Sequence, residues 1–582
     1  MTRAPVKIQF SSSTRSTNSP SSPPSEYAGT NHDVGKNVFS NSIAMNVDAP
    51  TIIQHTIPYP LALDCLINVF EYLKDDRATL YSCVMVNRVF SQLAIPLLWR
   101  RPFENQLIGK QVNIIQTYIS CLAFKDKEAL INHDISLPDM ANPLFDYPRY
   151  LRGFDSENFN RSIEDWLMML WDIVDSEFPI KVKVLNKVIG NLLFSRTTGL
   201  RVLKIDRGEI EDTCLMNITT FFGNYRAFEN LEKFELKFDN DDEERWPLNI
   251  DHKARICTQL SLFTRSLKYI TITIDPYRWS PPSPTVCTPI FQLIESQKGL
   301  EFLEMEEFWE DFAFSLEFYL ALQNQTHALT HLTLKNLSQF DLLLRVLVNC
   351  TSLETLEFLK VPESNSESLV FAEHKRNSSL IKPLSIKKLI SYDAKSDPDL
   401  VTQTLSIIVR MANRNLRALM IFEVTPELLD VMGECCPNIM DLYLTMSTSS
   451  IFNLIPYLST LPLEYLFLWE DHSLPFSTEF VRQVAHSLPP TLKNLEITFD
   501  LTPRMLATFL EECPANFREL VLRADNSNDE FLRVVIDYAK MRGVRLKCLK
   551  LWGLGTKYSV SMVEEAKRYI PKIVNLASYP LW

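Results

Sequence analysis

One apolar frame, Leu-x-x-Leu-x-Leu in its fullest form, returns thirteen times between Leu200 and Leu551, and nothing else in the chain constrains its fold as strongly. It reads Leu200/Leu203/Ile205, Leu231/Phe234/Leu236, Leu267/Ile270/Ile272, Leu300/Leu303/Met305, Leu329/Leu332/Leu334 and Leu353/Leu356/Phe358. An imperfect Ile386/Leu389 copy follows. Then come Leu416/Leu419/Ile421, Ile439/Leu442/Leu444, Leu463/Leu466/Leu468, Leu492/Leu495/Ile497, Phe517/Leu520/Leu522 and Leu546/Leu549/Leu551. Offsets of 3 and 5 do not lie on one helical stripe, whereas the last two positions alternate as strand residues do. Twelve intervals span 346 residues, about 29 each, enough for one strand and one helix. Leucine-rich helices would not produce so steady a period. The expected fold is α/β: a solenoid with a parallel sheet on its concave face, the frame pointing inward and helices outside.

The remaining composition narrows the function. At 582 residues the chain is too long for one compact core, and 46% hydrophobic content supplies a large one. A net charge of −12 with no basic stripe argues against nucleic acid as a partner. No apolar run reaches the length needed to cross a bilayer, so no membrane partner is expected. Met1 to Ser25 is Ser/Thr/Pro-rich without a secretory apolar region. Eleven cysteines without regular tight spacing fit a reducing compartment, cytoplasmic or nuclear.

Residues 1–50 hold few large apolar groups and are expected to be a disordered tail. A compact apolar block spans 57–103, a mainly helical linker 104–185, and the repeat domain 186–582. Insertions are expected at Asp239–Glu244, Asp275–Pro289 and Lys360–Pro383. Outer helices are expected at Pro426–Met432 and Thr478–Ser487, with Thr478 as an N-cap and Glu479 in the first turn.

In the apolar block, Leu63, Leu66, Ile67, Phe70 and Leu73 share a helical stripe that ends at the charged turn Lys74-Asp75-Asp76-Arg77. Leu80, Cys83, Val84 and Val86 begin a second face. Val89, Phe90, Leu93 and Leu97 form a third before Trp99. Three helices in under fifty residues make a marginal bundle, the kind that docks on a partner through spare apolar surface.

The pattern Leu61-x-x-Asp64-x-Leu66-Ile67-x-Val69-Phe70-x-x-Leu73, Leu80-x-x-Cys83-x-x-Val86-Asn87-Arg88-x-Phe90 and Ala94-x-x-Leu97-x-Trp99 resembles an F-box. With the repeats behind it, the chain is similar to fungal F-box/leucine-rich-repeat proteins. That resemblance implies a non-catalytic substrate adaptor, its F-box binding a Skp-type adaptor and through it a cullin–RING ubiquitin ligase, its repeats capturing a protein substrate. The alternative is a repeat scaffold acting outside a ligase. Adaptor contacts carried over are Pro60, Leu61, Leu66, Ile67, Phe70, Leu80, Val86, Phe90 and Trp99, with some of the apolar ones packing the bundle instead. Two positions depart from the family pattern: Leu61-Ala62 replaces Leu-Pro, and Phe90 replaces Trp.

No catalytic motif occurs, and neither cofactor nor metal is expected. His327 and His331 flank a strand rather than share a helix. Cys350, Cys436 and Cys513 lie three repeats apart, about 14 Å at the usual strand spacing, too far for one zinc ion. They read as buried thiols closing the turns. The concave column between the last two frame positions turns large and apolar over four consecutive repeats: Ile390, Met420, Tyr443 and Phe467. Tyr392, Phe422, Tyr465 and Trp469 adjoin it, and this strip is the expected substrate site.

Overall fold

The computed structural model describes residues 63–576 apart from 105–111, 139–140, 171–176, 207–225, 239–245, 275–283, 308–315, 337–339, 361–382, 392–397, 423, 447, 471–476, 499–500, 524–527, 542–545 and 553–557. The chain divides into units 1–62 and 63–582. The first unit, with the expected tail, Pro60 and Leu61, lies outside the described residues. So do Tyr392, the Asp239–Glu244 loop and all but the ends of the Lys360–Pro383 insertion.

Among the described residues, fifteen strands form one open parallel sheet in strict chain order. They are β1 (Gly153–Asp155), β2 (Val202–Ile205), β3 (Lys233–Phe238), β4 (Tyr269–Ile274), β5 (Phe302–Glu307), β6 (His331–Asn336), β7 (Thr355–Lys360) and β8 (Lys388–Ser391). They continue as β9 (Ala418–Ile421), β10 (Asp441–Met446), β11 (Tyr465–Glu470), β12 (Asn494–Ile497), β13 (Glu519–Arg523), β14 (Cys548–Trp552) and β15 (Lys572–Leu576). Strands β2 to β14 coincide with the thirteen frame copies, and every apolar frame residue is buried. One continuous core runs from Phe103 to Ile570, joining the frame to residues of the intervening helices. The result is a solenoid-like repeat, since each strand–helix turn closes its core against its neighbours.

The sheet begins earlier than the 186 boundary read from sequence. β1 lies inside the stretch read as mainly helical linker, and pairs with β2 from Gly153↔Val202 to Asp155↔Lys204. Leu151, Phe154 and Ser156 thus hold the frame positions, all buried, with Ser156 Oγ accepting from the Asp206 N–H at 3.0 Å. β15 closes the other end with Ile570, Ile573 and Asn575 in those positions. Both end copies carry a polar residue where the frame needs an apolar one.

Between turns, one carbonyl accepts from two successive N–H groups of the next repeat. Arg201 O accepts from Glu232 and Lys233, Glu232 O from Lys268 and Tyr269, and the device recurs through Arg518 O. Its first rung is Arg100 O, which accepts from Arg152 and Gly153 at 2.8 and 2.9 Å. A Cβ at Gly153 would meet Arg101 Cγ at 2.9 Å, so glycine permits this closure. Ion pairs Arg201–Glu232, Lys268–Glu301, Lys387–Glu354 and Lys493–Glu464 line the same turns, where solvent screens them.

Repeat helices begin on side-chain caps: Thr425 accepts from Leu428 N, Thr502 from Met505 N and Ser559 from Met562 N. Pro426 and Pro503 follow two of these caps, where the missing N–H costs nothing. For the helix Thr478–Ser487 the cap is Ser477, not Thr478, which is the first helical residue. The helix Pro284–Glu295 starts within the proline-rich insertion.

Ahead of the stack, α1 (Leu63–Tyr72), α2 (Arg77–Val84) and α3 (Arg88–Leu98) form a three-helix unit. Asp76 caps α2 through Thr79 N, and Asn87 caps α3 through Phe90 N. Its own core is small: Phe70, Leu80 and Ala94, with Leu73, Phe90 and Leu93 packed around them. Two further helices, Val112–Ser120 and Phe124–Ile131, precede β1.

Candidate functional site

The three-helix unit presents more apolar surface than its core uses. Along α1 only Leu66 and Phe70 are buried, leaving Leu63, Ile67, Val69 and Tyr72 exposed, Tyr72 at 91%. On α2 and the turn after it, Tyr81, Met85 and Val86 are exposed as well. Of the residues expected at an adaptor contact, Ile67 (41%) and Val86 (60%) face solvent. Leu66, Phe70 and Leu80 do not: a bundle this small needs them inside. Phe90 sits edge-on against Phe70 at 5.3 Å. Trp99 turns toward the stack, 5.3 Å from the Tyr118 ring and 4.4 Å from Tyr147. Leu63 and Val69 belong to the sequence pattern but were not expected at the contact, and Tyr72, Tyr81 and Met85 were not singled out at all. Leu63 and Ile67, and likewise Tyr81 and Met85, are one helical turn apart, which is the signal that marks them.

A second surface lies on the sheet face opposite the helices. Register places Lys204, Glu235, Thr271, Glu304, Thr333, Glu357, Ile390, Met420, Tyr443, Phe467, Glu496, Val521 and Lys550 in one unbroken column. The expected strip is therefore brought together, but it is not uniformly open. Ile390 and Phe467 are each only 4% exposed, while Met420, Phe422, Tyr443, Tyr465 and Trp469 are half-buried. In-register strands set large side chains about 4.8 Å apart, so they cover one another. Tyr443 stacks on Tyr465 at 4.6 Å and 25°, and Phe467 lies 6.2 Å from Tyr443 and 6.3 Å from Trp469.

The strip ends in charge. Tyr465 Oη donates to the Glu496 carboxylate at 2.9 Å, and Lys550 pairs with Glu519 at 2.5 Å. Burial pushes Glu496 above the usual carboxylate range, opposed by the Tyr465 hydrogen bond and by Lys550. At the other end of the sheet Lys204 bridges Asp155 and buried Asp206, each at 3.1 Å, which holds its ammonium charged.

The adjacent column contains a second aromatic row absent from the sequence reading. Tyr269, Phe302 and His331 stand in register, with rings 6.0 and 5.7 Å apart. Reading the position just before each second frame residue would have found it. His331 Nδ1 lies 2.8 Å from Thr330 Oγ1, an arrangement that fixes the ring.

Cys350 donates to Val346 O at 3.5 Å and Cys436 to Asn413 O at 3.2 Å, and burial pushes both thiols up to about 12. They are neutral groups closing turns. Among the described residues no three His, Cys, Asp or Glu side chains converge as a metal site, and no helix is long and apolar enough to cross a membrane.

No protein-family model and no curated protein matches this sequence. Among solved structures, a protein of Bacteroides fragilis determined as a structural-genomics target aligns at 15% identity and a TM-score of 0.26. The alignment covers 59% of this chain and 75% of that one. So loose a superposition carries no argument about function.

Proposed function

We propose that this chain is a non-catalytic substrate-recognition subunit of a Skp–cullin–F-box ubiquitin ligase, its three-helix unit an F-box and its stack a leucine-rich-repeat domain. The observation that carries the reading is the apolar face of α1 and α2. Leu63, Ile67, Val69, Tyr72, Met85 and Val86 are exposed without serving the bundle's own core. A patch of this kind is characteristic of a surface that is covered by another protein. The F-box-like pattern, to which Ile67, Val69 and Val86 belong, supports a Skp-type adaptor as that partner. The aromatic strip on the sheet's open face, bounded by charge, supports capture of a protein there.

The test is co-purification of a Skp-type adaptor with full-length protein and with the Ile67→Asp/Val86→Asp variant. Both positions are exposed, so the variant keeps its fold by circular dichroism. Two charges facing an apolar interface should reduce adaptor recovery at least about a hundredfold. Undiminished recovery, or none from the parent protein, rejects the adaptor assignment and leaves the repeats as a free-standing interaction scaffold.

A further inference from the structure

The open face holds a hollow of about 170 Å³ where Lys388, Ala418 and Asp441 stand in one column and Ile390, Met420 and Tyr443 in the next. Ala418 creates it. A single methyl between two long or charged neighbours on in-register strands leaves space above the sheet. Asp441 forms one wall, half-buried, and among the described residues its carboxylate has no hydrogen-bond donor and no ion-pair partner. Burial and the neighbouring Glu464 both push its carboxyl up, with Lys388 opposing them. A partly desolvated carboxylate without a donor is unfavourable, and a cation supplied from outside relieves it. Beside it stands Tyr443, stacked on Tyr465, and aromatic faces attract cations. Lys388 is exposed on the opposite rim, two strands or roughly 9.6 Å along the sheet from Asp441.

Taking the open face as the surface that captures substrate, we propose that this hollow receives an arginine or lysine side chain of the captured protein. The aliphatic stem lies over Ala418 against Ile390 and Met420, and the cation rests on Asp441 beside Tyr443. An acidic side chain would meet Asp441 and Glu464 together. Lys388, out in solvent, repels the bound cation weakly across the hollow. Removing it strengthens binding, the reverse of what a ligand using both charges would show.

The experiment presents full-length protein with a randomised hexapeptide library, acetylated and amidated at its ends, then titrates the most enriched peptide by calorimetry. Arginine or lysine is expected to dominate one position. Asp441→Asn should weaken that peptide about tenfold or more, and Lys388→Ala should tighten it. Asp441→Lys should move the preference at that position to aspartate or glutamate, a gain that misfolding cannot mimic. Unchanged affinity in Asp441→Asn overturns the proposal, and so does weakening in both Asp441→Asn and Lys388→Ala, which marks a zwitterionic ligand. Enriched peptides lacking a basic residue, yet lost in Tyr443→Ala, overturn it while sparing the open face as the capture surface. No enrichment at all overturns both.

Discussion

Tyr465 and Glu496 show how single residues set the character of the open face. The tyrosine hydroxyl donates to a carboxylate that burial already disfavours, so the bond stabilises a charge the site would otherwise expel. Tyr465→Phe leaves that carboxylate without its donor, and hydrogen bonds to charged groups contribute about 1.5–3 kcal/mol. An acid whose folded pKa lies above its unfolded value binds its proton more tightly when folded, so stability is gained as pH falls through the folded value. Losing the tyrosine donor raises Glu496 further. The penalty of Tyr465→Phe should therefore be largest at neutral pH and shrink in acid, as the orphaned carboxyl protonates. Denaturant unfolding of parent and variant at neutral and at acid pH checks this, and an equal penalty at both refutes it. At this scale the sequence was only half legible. Column membership followed from the frame, since the strand period is two, and Met420, Tyr443 and Phe467 do align. The burial of Phe467 and Ile390 did not follow, because it depends on how wide the neighbours across each strand are.

Each strand–helix turn separates its two faces by a single residue step, and Thr355 and Leu356 in β7 show the consequence. Leu356 is fully buried in the frame, while Thr355 stands on the open face between His331 and Lys388. Leu356→Asp places an unpaired charge in the core and should cost more than about 4 kcal/mol, enough to deplete soluble protein. Thr355→Asp, one residue away and beside Lys388, should stay within about 0.5 kcal/mol of the parent. Thermal melts of the two variants decide it, and similar losses would mean the register is wrong. The repeat elements were legible because a recurring spacing survives substitutions at any one copy. The two end strands were not, since Ser156, the residue after β1, and Asn575 in β15 take the last frame position. End repeats pack a neighbour on one side only, so a polar residue there is tolerated.

At the scale of the molecule, the described residues form two cores joined by a short, specific junction. The solenoid core is continuous over its length, whereas the three-helix unit buries little beyond Phe70, Leu80 and Ala94. A unit that small is marginal alone, so its order depends on what it leans against. Trp99 packs on Tyr118 and Tyr147, and Arg100 O supplies the first rung of the inter-repeat ladder. The Arg77 guanidinium donates to the carbonyls of Leu98, Arg101 and Glu104 at 3.3–3.4 Å. These contacts hold the apolar face of α1 and α2 in a fixed relation to the stack, as the proposed adaptor role requires. Removing the Trp99 side chain forfeits a half-buried aromatic, a loss of up to about 3 kcal/mol, and it falls on the junction rather than on either core. Hydrogen exchange read by mass spectrometry should then show amides of 63–98 exchanging about tenfold faster or more in Trp99→Ala, while strands β6 to β11 keep their protection. Acceleration spread over the whole sheet would mean that the two cores unfold as one. No change at residues 63–98 would mean that the small unit stands without its anchor.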